Sequence, residues 1–139
     1  MFIASSTFPD VLLAPNMTRA RCDLRTIRAK YAWADVVVVP LVPNLHASGL
    51  TVVLEAVAAG KPVVVSDVGG LRHYFGPDAV HFVPPGDAQA LAERVKALGH
   101  DPEQARAAVA RAREAFSQQG LDTVGYAARH VQLTEALLA

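Results

Sequence analysis

The chain has 139 residues, of which 52% are hydrophobic, and its 13 basic and 13 acidic side chains balance to a formal net charge of zero. This length suits one domain with a core of its own, and the composition excludes a disordered chain. The balanced charge argues against a protein that binds nucleic acid through a general basic surface. No apolar run reaches the roughly 20 residues that a membrane-spanning helix needs.

The N-terminal stretch and the cysteine content indicate in which cellular compartment the protein is expected. The first ten residues, MFIASSTFPD, have no basic segment ahead of an apolar one, so we expect no signal peptide. The single cysteine, Cys22, cannot form an internal disulfide, and its neighbours Arg21 and Asp23 provide no metal-ligand pattern. We interpret Cys22 as an incidental thiol and expect a reducing, cytoplasmic location, with the inner face of the membrane as a peripheral alternative.

Five short apolar segments are candidate strands. Phe2–Ala4 and Val11–Ala14 are the weaker two, and the six residues between them are too few for the helical crossover that usually joins parallel neighbours. The stronger candidates are Val36–Val39, Val63–Val65 and Val80–Val83. The first two of these have no polar alternation, which is typical of strands that are buried on both faces of a parallel sheet.

Helical patterns lie between and after these strands. The apolar spacing predicts a helix from Asp23 to Ala32 with Asp23 as its N-cap, and Ser48 is expected to cap a second helix that Gly60 ends. We therefore predict a single α/β domain over residues 1–139, a Rossmann-like three-layer sandwich with one parallel sheet of four to five strands and C-terminal helices. The remaining helix signals are a short helix at Gly70–Phe75, N-caps at Asp87 and Asp101, and a last helix marked by Ala127, Val131, Thr134 and Leu138.

Glu55 is the only charged residue in the run LTVVLEAVAA, residues 50–59. A helix this apolar is mostly buried, so its carboxylate must face a cleft, find a partner or destabilise the fold. The run follows the loop 40–49, which begins where a predicted parallel strand ends. Ligands of open parallel sheets bind at that edge.

The start of this helix has the features of an anion site. Helix N-termini present unpaired backbone N–H groups, and Gly49 allows a phosphate to approach them closely. Ser48, Thr51 and Glu55 recur at i, i+3 and i+7, which places Glu55 roughly 10 Å from Ser48 on the same stripe. A carboxylate there suits the diol of a ribose. The alternative is that Glu55 pairs with an arginine and Ser48 merely caps, and spacing leaves both interpretations open.

Several segments between residues 34 and 100 carry a family resemblance. They are ADVVVVP at 34–40, SGLTVVLEAVAAGKPVVV at 48–65, the pair Gly69-Gly70, and VPPGD at 83–87. In order and spacing they resemble the C-terminal, donor-binding lobe of glycosyltransferase family 4, the group 1 enzymes of the GT-B fold. The resemblance covers about half of the chain.

This resemblance implies roles for individual residues. Glu55 matches the second of two glutamates that lie eight positions apart in the family, which implies that it binds the donor ribose. The first glutamate falls on Ala47, which lacks the carboxylate that contacts the donor sugar in the family. The adjacent His46 is a candidate substitute for this contact, and the alternative is a surface-loop histidine. The segment Ser48, Gly49, Leu50 and Thr51 resembles the diphosphate-binding segment of the family.

The resemblance also implies the reaction and the partners. The donor would be a UDP- or GDP-sugar, and transfer would retain the anomeric configuration without a metal or other cofactor. No catalytic residue is assigned, because the acceptor-binding residues and much of the catalytic apparatus belong to an N-terminal lobe. We expect an incomplete donor-binding lobe that is inactive without that lobe, does not bind nucleic acid and does not span a membrane.

Two other functions remain open at this stage. The chain could be a non-catalytic Rossmann-like module that forms a homodimer or serves as a partner subunit, because an uncovered sheet edge favours association. A nucleotide-sugar epimerase is a weaker candidate, since the sequence offers no set of residues that could act as the catalytic acid and base. The arginines at 21, 25 and 28 form a basic stripe, which is interpreted as a solvated helix face rather than a surface for lipid or a partner lobe.

Overall fold

The computed structural model describes residues 1–4 and 13–138. The predicted strand at Val11–Ala14 begins outside the described residues, and its last two positions, Leu13 and Ala14, are not in a strand. The chain forms two compact units, Met1–Ala34 and Asp35–Ala139. The organisation of the whole chain as one domain stays a prediction.

The first unit contains a two-stranded parallel sheet. β1 (Phe2–Ala4) pairs with β2 (Thr18–Ala20), and Phe2 lies opposite Thr18. Hydrophobic patterning does not predict β2, because two of its three side chains are exposed and it has no apolar run. Its pairing with β1 depends on backbone hydrogen bonds, which any residue other than proline can make.

The helix of the first unit, α1 (Leu24–Trp33), begins as predicted. The Asp23 side chain accepts a hydrogen bond of 2.7 Å from the backbone N–H of Thr26, and hydrogen bonding to Thr26 lowers the pKa of Asp23. On the same helix, the Lys30 ammonium lies 4.2 Å from the ring centroid of Phe2. The three arginines of the basic stripe are all exposed, as the solvated-face interpretation expects.

The second unit contains a three-stranded sheet in the order β3 (Val37–Val39), β4 (Val63–Ser66) and β5 (His81–Val83). Both pairings are parallel. The three strong strand predictions are therefore confirmed to within one residue, and the fold class is confirmed as Rossmann-like α/β. The predicted single sheet of four to five strands differs from this arrangement. The five described strands divide into a sheet of two and a sheet of three.

Two of the three N-caps predicted for helices of the second unit are observed in the structure. Asp87 accepts a hydrogen bond from the N–H of Ala90 at 2.8 Å, and Asp101 accepts one from Gln104 at 2.9 Å, so both predicted N-caps are confirmed. The predicted cap at Ser48 is wrong, because the N-cap of that helix is Gly49 and no side chain bonds to its first turn. The helices are α2 (Leu50–Ala58), α3 (Leu71–Tyr74), α4 (Ala88–His100), α5 (Pro102–Gln118) and α6 (Thr123–Leu138).

The core of this unit lies around β4, in which no residue is more than 3% exposed. Burial on both faces is thus confirmed for β4. In β3 only Val39 is buried, while Val37 and Val38 are half-buried, because β3 has one hydrogen-bonded neighbour within the described sheet. The helical side of the core includes Val53, Ala56 and Val57 of α2 and Ala108 and Ala112 of α5.

Helix α6 differs from the other described helices of the second unit because none of its residues is buried. Its apolar spacing correctly predicted a helix, but the large side chains that carry this spacing are exposed. None of the helices in residues 1–4 and 13–138 is long and apolar enough to cross a membrane. The exposed apolar residues of α6 are Val124, Tyr126, Val131, Leu133, Leu137 and Leu138.

Candidate functional site

The predicted site lies where β3 and β4 end at the same edge of the sheet. Val39, the last residue of β3, pairs in register with Val65, and Ser66 ends β4 one residue later. The loop 40–49 leaves this edge and leads into α2. Carboxyl-terminal edges of this kind are where parallel sheets bind ligands.

Ser66 fixes the beginning of this loop. Its hydroxyl oxygen accepts a hydrogen bond of 2.9 Å from the backbone N–H of Leu41. Ser66 is only 3% exposed, and a buried hydroxyl group needs such a partner. Sequence reasoning did not assign a role to this residue, although a serine directly after three buried valines is a recognisable signal.

The middle of the loop brings two predicted residues together. The hydroxyl of Ser48 lies 2.7 Å from Nε2 of His46. The backbone N–H of His46 donates to the Asn44 side-chain oxygen at 3.2 Å, and the Asn44 amide donates to the carbonyl of Val42 at 2.9 Å. Ala47, where the family resemblance expects a carboxylate, is exposed and offers only a methyl group.

Gly49 opens α2 in a left-handed conformation with φ of 76°. A Cβ atom at this position would lie 2.8 Å from Cγ1 of Val39, so the close approach of the helix start to β3 requires glycine. The N–H of Leu50 donates to the carbonyl of Ala47 at 3.2 Å. The amides of Thr51 and Val52 follow in the first turn, whose N–H groups have no acceptors within the helix.

Glu55 is exposed on α2. The helix buries one face, through Val53, Ala56 and Val57, and it exposes Thr51 and Val52 as well as Glu55. The expectation that so apolar a helix is mostly buried is therefore met on one face only. The carboxylate lies at the surface, about two turns from the start of the helix.

An ion pair outside the predicted site residues joins the loop after β4 to helix α3. Two guanidinium nitrogens of Arg72 donate to the two carboxylate oxygens of Asp67, each at 2.8 Å, and this bonding raises the pKa of Arg72. The guanidinium also lies 4.4 Å from the ring centroid of Phe82. From its position beside a predicted strand, Asp67 is expected to have a loop or capping role, and the structure places it in this ion pair. The signal for the pair was two opposite charges on either side of Gly69-Gly70.

A depression of about 420 Å³ lies at the carboxyl end of β5, whose Val83 pairs in register with Ser66. It is lined by residues 82–84 and by Ala90, Glu93, Arg94 and Ala97 of α4, and it shares no residue with the predicted site. Within the described ranges, no group of three or more His, Cys, Asp or Glu side chains is placed to hold a metal ion.

A histidine in an apolar strand, such as His81 of β5, is expected to be a core residue whose hydrogen bonds are satisfied. His81 is buried, but it is not satisfied. Its Nε2 atom has no hydrogen-bond partner within the part of the chain that the structure describes. Burial lowers the pKa of His81, the positive charges of Arg94 and Arg111 lower it further, and Asp78 opposes them. A neutral imidazole is therefore favoured in the folded protein.

The protein has relatives of known class. The family described as "Glycosyl transferases group 1" matches residues 21–115. A putative teichuronic acid biosynthesis glycosyltransferase, TuaC of Bacillus subtilis (strain 168), is 39% identical over 69 residues, which are 49% of this chain and 17% of that protein.

Solved structures share the fold. Sucrose-phosphate synthase from Thermosynechococcus elongatus superposes with a TM-score of 0.68 at 30% identity over 86% of this chain and 31% of that chain. Anabaena Alr3699/HepE in complex with UDP-glucose gives a TM-score of 0.69 at 22% identity over 86% of this chain and 32% of that one.

The protein thus spans about a third of the length of these solved relatives and less than a fifth of the curated one. The family match covers more than half of the chain. The chain therefore belongs to the group 1 glycosyltransferases, in which it corresponds to the C-terminal lobe.

Proposed function

We propose that this chain is the donor-binding part of a retaining glycosyltransferase and holds a nucleotide sugar along the loop 40–49 and the first two turns of α2. The observation that carries the proposal is the exposed Glu55 on the same helix whose first turn follows the His46–Ser48 pair. Together they offer a carboxylate, an imidazole, a hydroxyl group and a helix N-terminus at the ligand-binding edge of a parallel sheet.

The diphosphate would lie at the start of α2. The helix dipole and the first-turn amides favour an anion there, and Gly49 has no side chain to block its approach. As the bond to the sugar breaks, negative charge grows on the departing diphosphate. Fixed backbone dipoles stabilise that charge without reorganising.

Glu55 would hold the ribose. A carboxylate about two turns further along the helix can accept hydrogen bonds from both hydroxyl groups of the ribose. The length of a nucleoside diphosphate then fixes the position of the sugar relative to the loop. This makes Glu55 an orienting group rather than an acid or a base in the reaction.

His46 would contact the donor sugar in place of the carboxylate that Ala47 lacks. An imidazole nitrogen can accept or donate a hydrogen bond to a sugar hydroxyl group, depending on its tautomer. The Ser48 hydroxyl, 2.7 Å from Nε2, fixes the direction of the ring. HepE is described in complex with UDP-glucose, which supports UDP and UDP-glucose as the first probes for this chain.

Turnover would need more than this chain contains. The solved relatives are about three times as long, so acceptor binding is assigned to a further lobe or subunit. The isolated chain is expected to bind nucleotide and to transfer no sugar. The proposed reaction needs no metal or other cofactor.

Calorimetric titration with UDP, GDP and ADP tests the proposal. One of the three nucleotides should bind the wild-type chain, and Glu55→Ala should weaken that binding by more than tenfold while the circular dichroism spectrum stays unchanged. Glu135→Ala is the matched control, since Glu135 is an exposed glutamate on α6. If no nucleotide binds, or if both substitutions have the same effect, the donor-binding role is wrong.

A second candidate function is self-association without catalysis. The observation that favours it is α6, a 16-residue helix with no buried residue, because an isolated helix of this length is marginally stable in water. Analytical ultracentrifugation with and without UDP separates the two functions. A dimer that dissociates in Leu133→Glu and does not respond to UDP supports the interaction module.

A further inference from the structure

The loops that follow β3 and β4 are in direct contact. Gly69 has φ of 58°, a conformation that side chains other than hydrogen disfavour. A Cβ atom added at Gly69 would overlap with the carbonyl oxygen of His46, and it would lie 3.0 Å from the carbonyl carbon and 3.4 Å from the Asn44 side-chain oxygen. The backbone of Gly69 thus abuts the residue that carries the imidazole of the proposed donor site.

The loop 67–70 that presents Gly69 is itself held in place. The backbone N–H of Asp67 donates to the carbonyl of Val83 at 2.8 Å, which continues the pairing of β4 with β5. The carboxylate of Asp67 binds Arg72 through two hydrogen bonds, and this ion pair spans both sides of the Gly69-Gly70 turn. The guanidinium in turn lies over the Phe82 ring. The turn is therefore anchored on β5.

The donor loop 40–49 meets β4 and its loop at two points. Its beginning is held by the hydrogen bond from the Leu41 N–H to the Ser66 hydroxyl group. Its middle lies against Gly69 at His46. Between these points Asn44 bonds to the backbone on either side of itself, at Val42 and at His46. The position of the His46–Ser48 pair thus depends on the loop after the neighbouring strand.

We propose that Gly69 is a positioning residue of the donor site, whose backbone sets the place of the His46 carbonyl group and so directs the His46–Ser48 pair toward the nucleotide sugar. The contact between Gly69 and the His46 carbonyl group is a feature of the structure itself. Its consequence for ligand binding rests on the proposed function. Gly69 does not touch the donor and acts only through His46. Alanine at this position would have to displace the loop 40–49.

Three glycine-to-alanine variants of the full chain form the test. Gly69→Ala combines a left-handed backbone with the contact at His46. Gly86→Ala has the left-handed backbone, with φ of 80°, but nothing lies within 4 Å of its Cβ position. Gly70→Ala changes the residue next to Gly69, and Gly70 has neither a left-handed backbone nor a contact at its Cβ position. The comparison separates the contact with His46 from backbone strain.

Two measurements are made on each variant. The first is the ring ¹⁵N chemical shifts of His46 without nucleotide, assigned with a His46→Gln variant. The second is the dissociation constant for UDP-glucose, whose sugar His46 is proposed to contact. Gly69→Ala should move the His46 signals and weaken UDP-glucose binding at least threefold, while Gly70→Ala and Gly86→Ala should leave the His46 signals unchanged and UDP-glucose binding within twofold of the wild type.

The results decide the two proposals separately. Unchanged His46 signals in Gly69→Ala, or equal changes in Gly86→Ala, overturn the positioning role. If the wild-type chain binds no UDP-glucose, the proposed function fails for this donor, and the His46 signals still decide the role of Gly69. If Gly69→Ala does not fold, Arg72→Met replaces it, because loss of the ion pair loosens the same turn. Unchanged His46 signals in that variant then overturn the proposal.

Discussion

The hydroxyl of Ser48 lies 2.7 Å from Nε2 of His46, and the two residues flank Ala47 on the loop that enters α2. The hydrogen bond orients the imidazole ring of His46 on an exposed loop. The ring lies next to Ala47, the position at which the family resemblance expects a carboxylate. Because a hydroxyl group can donate or accept, this hydrogen bond fits either neutral tautomer of the ring. The pair therefore offers the proposed donor site an oriented group for hydrogen bonding.

His46→Ala should affect the sugar more than the nucleotide. Loss of one hydrogen bond is worth about 0.5–1.5 kcal/mol, so we expect UDP-glucose to bind about two- to twelvefold more weakly while UDP binds as tightly as to the wild type. Isothermal titration with both ligands measures the difference. His100→Ala, at an exposed histidine near the end of α4, is the control. Equal losses for UDP and UDP-glucose would exclude a sugar contact for His46.

Gly49→Ala and Gly99→Ala should change stability in opposite directions. Gly49 has φ of 76°, so alanine there should reduce the free energy of unfolding by about 1–3 kcal/mol, with the contact at Val39 adding to the loss. Gly99 lies in the last turn of α4 with nothing within 4 Å of its Cβ position, so alanine there should add up to about 1 kcal/mol. Urea unfolding monitored by circular dichroism measures both. If both substitutions changed the free energy of unfolding equally, the explanation from the local backbone conformation of each glycine would be wrong.

Ser66→Ala tests the anchor at the beginning of the donor loop. The substitution removes the acceptor for the Leu41 N–H, and leaving that partly buried donor unsatisfied should cost about 1–3 kcal/mol of unfolding free energy. Ser117→Ala, at an exposed position near the end of α5, should stay within about 0.5 kcal/mol. Urea unfolding compares the two. A loss of similar size in both variants would mean that the Leu41–Ser66 bond contributes little.

Hydrophobic patterning predicted the second unit well because its strands and helices have strong, local signals. Val63–Ser66 is apolar up to its last residue and is fully buried, and the caps at Asp87 and Asp101 form bonds to residues three positions away. Such signals can be recognised within a single short segment. The predicted bounds of β3, β4 and β5 therefore differ from the observed ones by one residue at most.

The misses have two causes. Ser48 was expected to cap α2, because a serine before a helix predicts a cap, and its bond to His46 two residues away was not recognised. The other misses depend on contacts between separate segments. β2 was missed because Thr18–Ala20 is held by pairing with β1 and not by an apolar pattern. The contact of Gly69 with His46 spans two loops, and only the doubled glycine hinted at it.

His81 makes stability depend on pH. Its pKa lies below the usual value of 6.5, because burial, Arg94 and Arg111 all disfavour the charged ring, while Asp78 acts in the opposite direction. An unfolded chain takes up a proton at its usual pKa, but the folded chain does so only at lower pH. The stability due to a neutral His81 is therefore complete above about pH 6.5 and is lost as the pH falls toward the lower, folded-state pKa.

Urea unfolding at several values between pH 8 and pH 5 measures this dependence. The wild-type midpoint should fall through that range, and His81→Leu should flatten the fall because it removes the titrating ring. The leucine also removes the unsatisfied Nε2 atom, so its midpoint should be no lower than that of the wild type at pH 5. His130→Leu, at an exposed histidine of α6, is the control and should retain the wild-type slope. A slope in His81→Leu as steep as that of the wild type would assign the pH dependence to other groups.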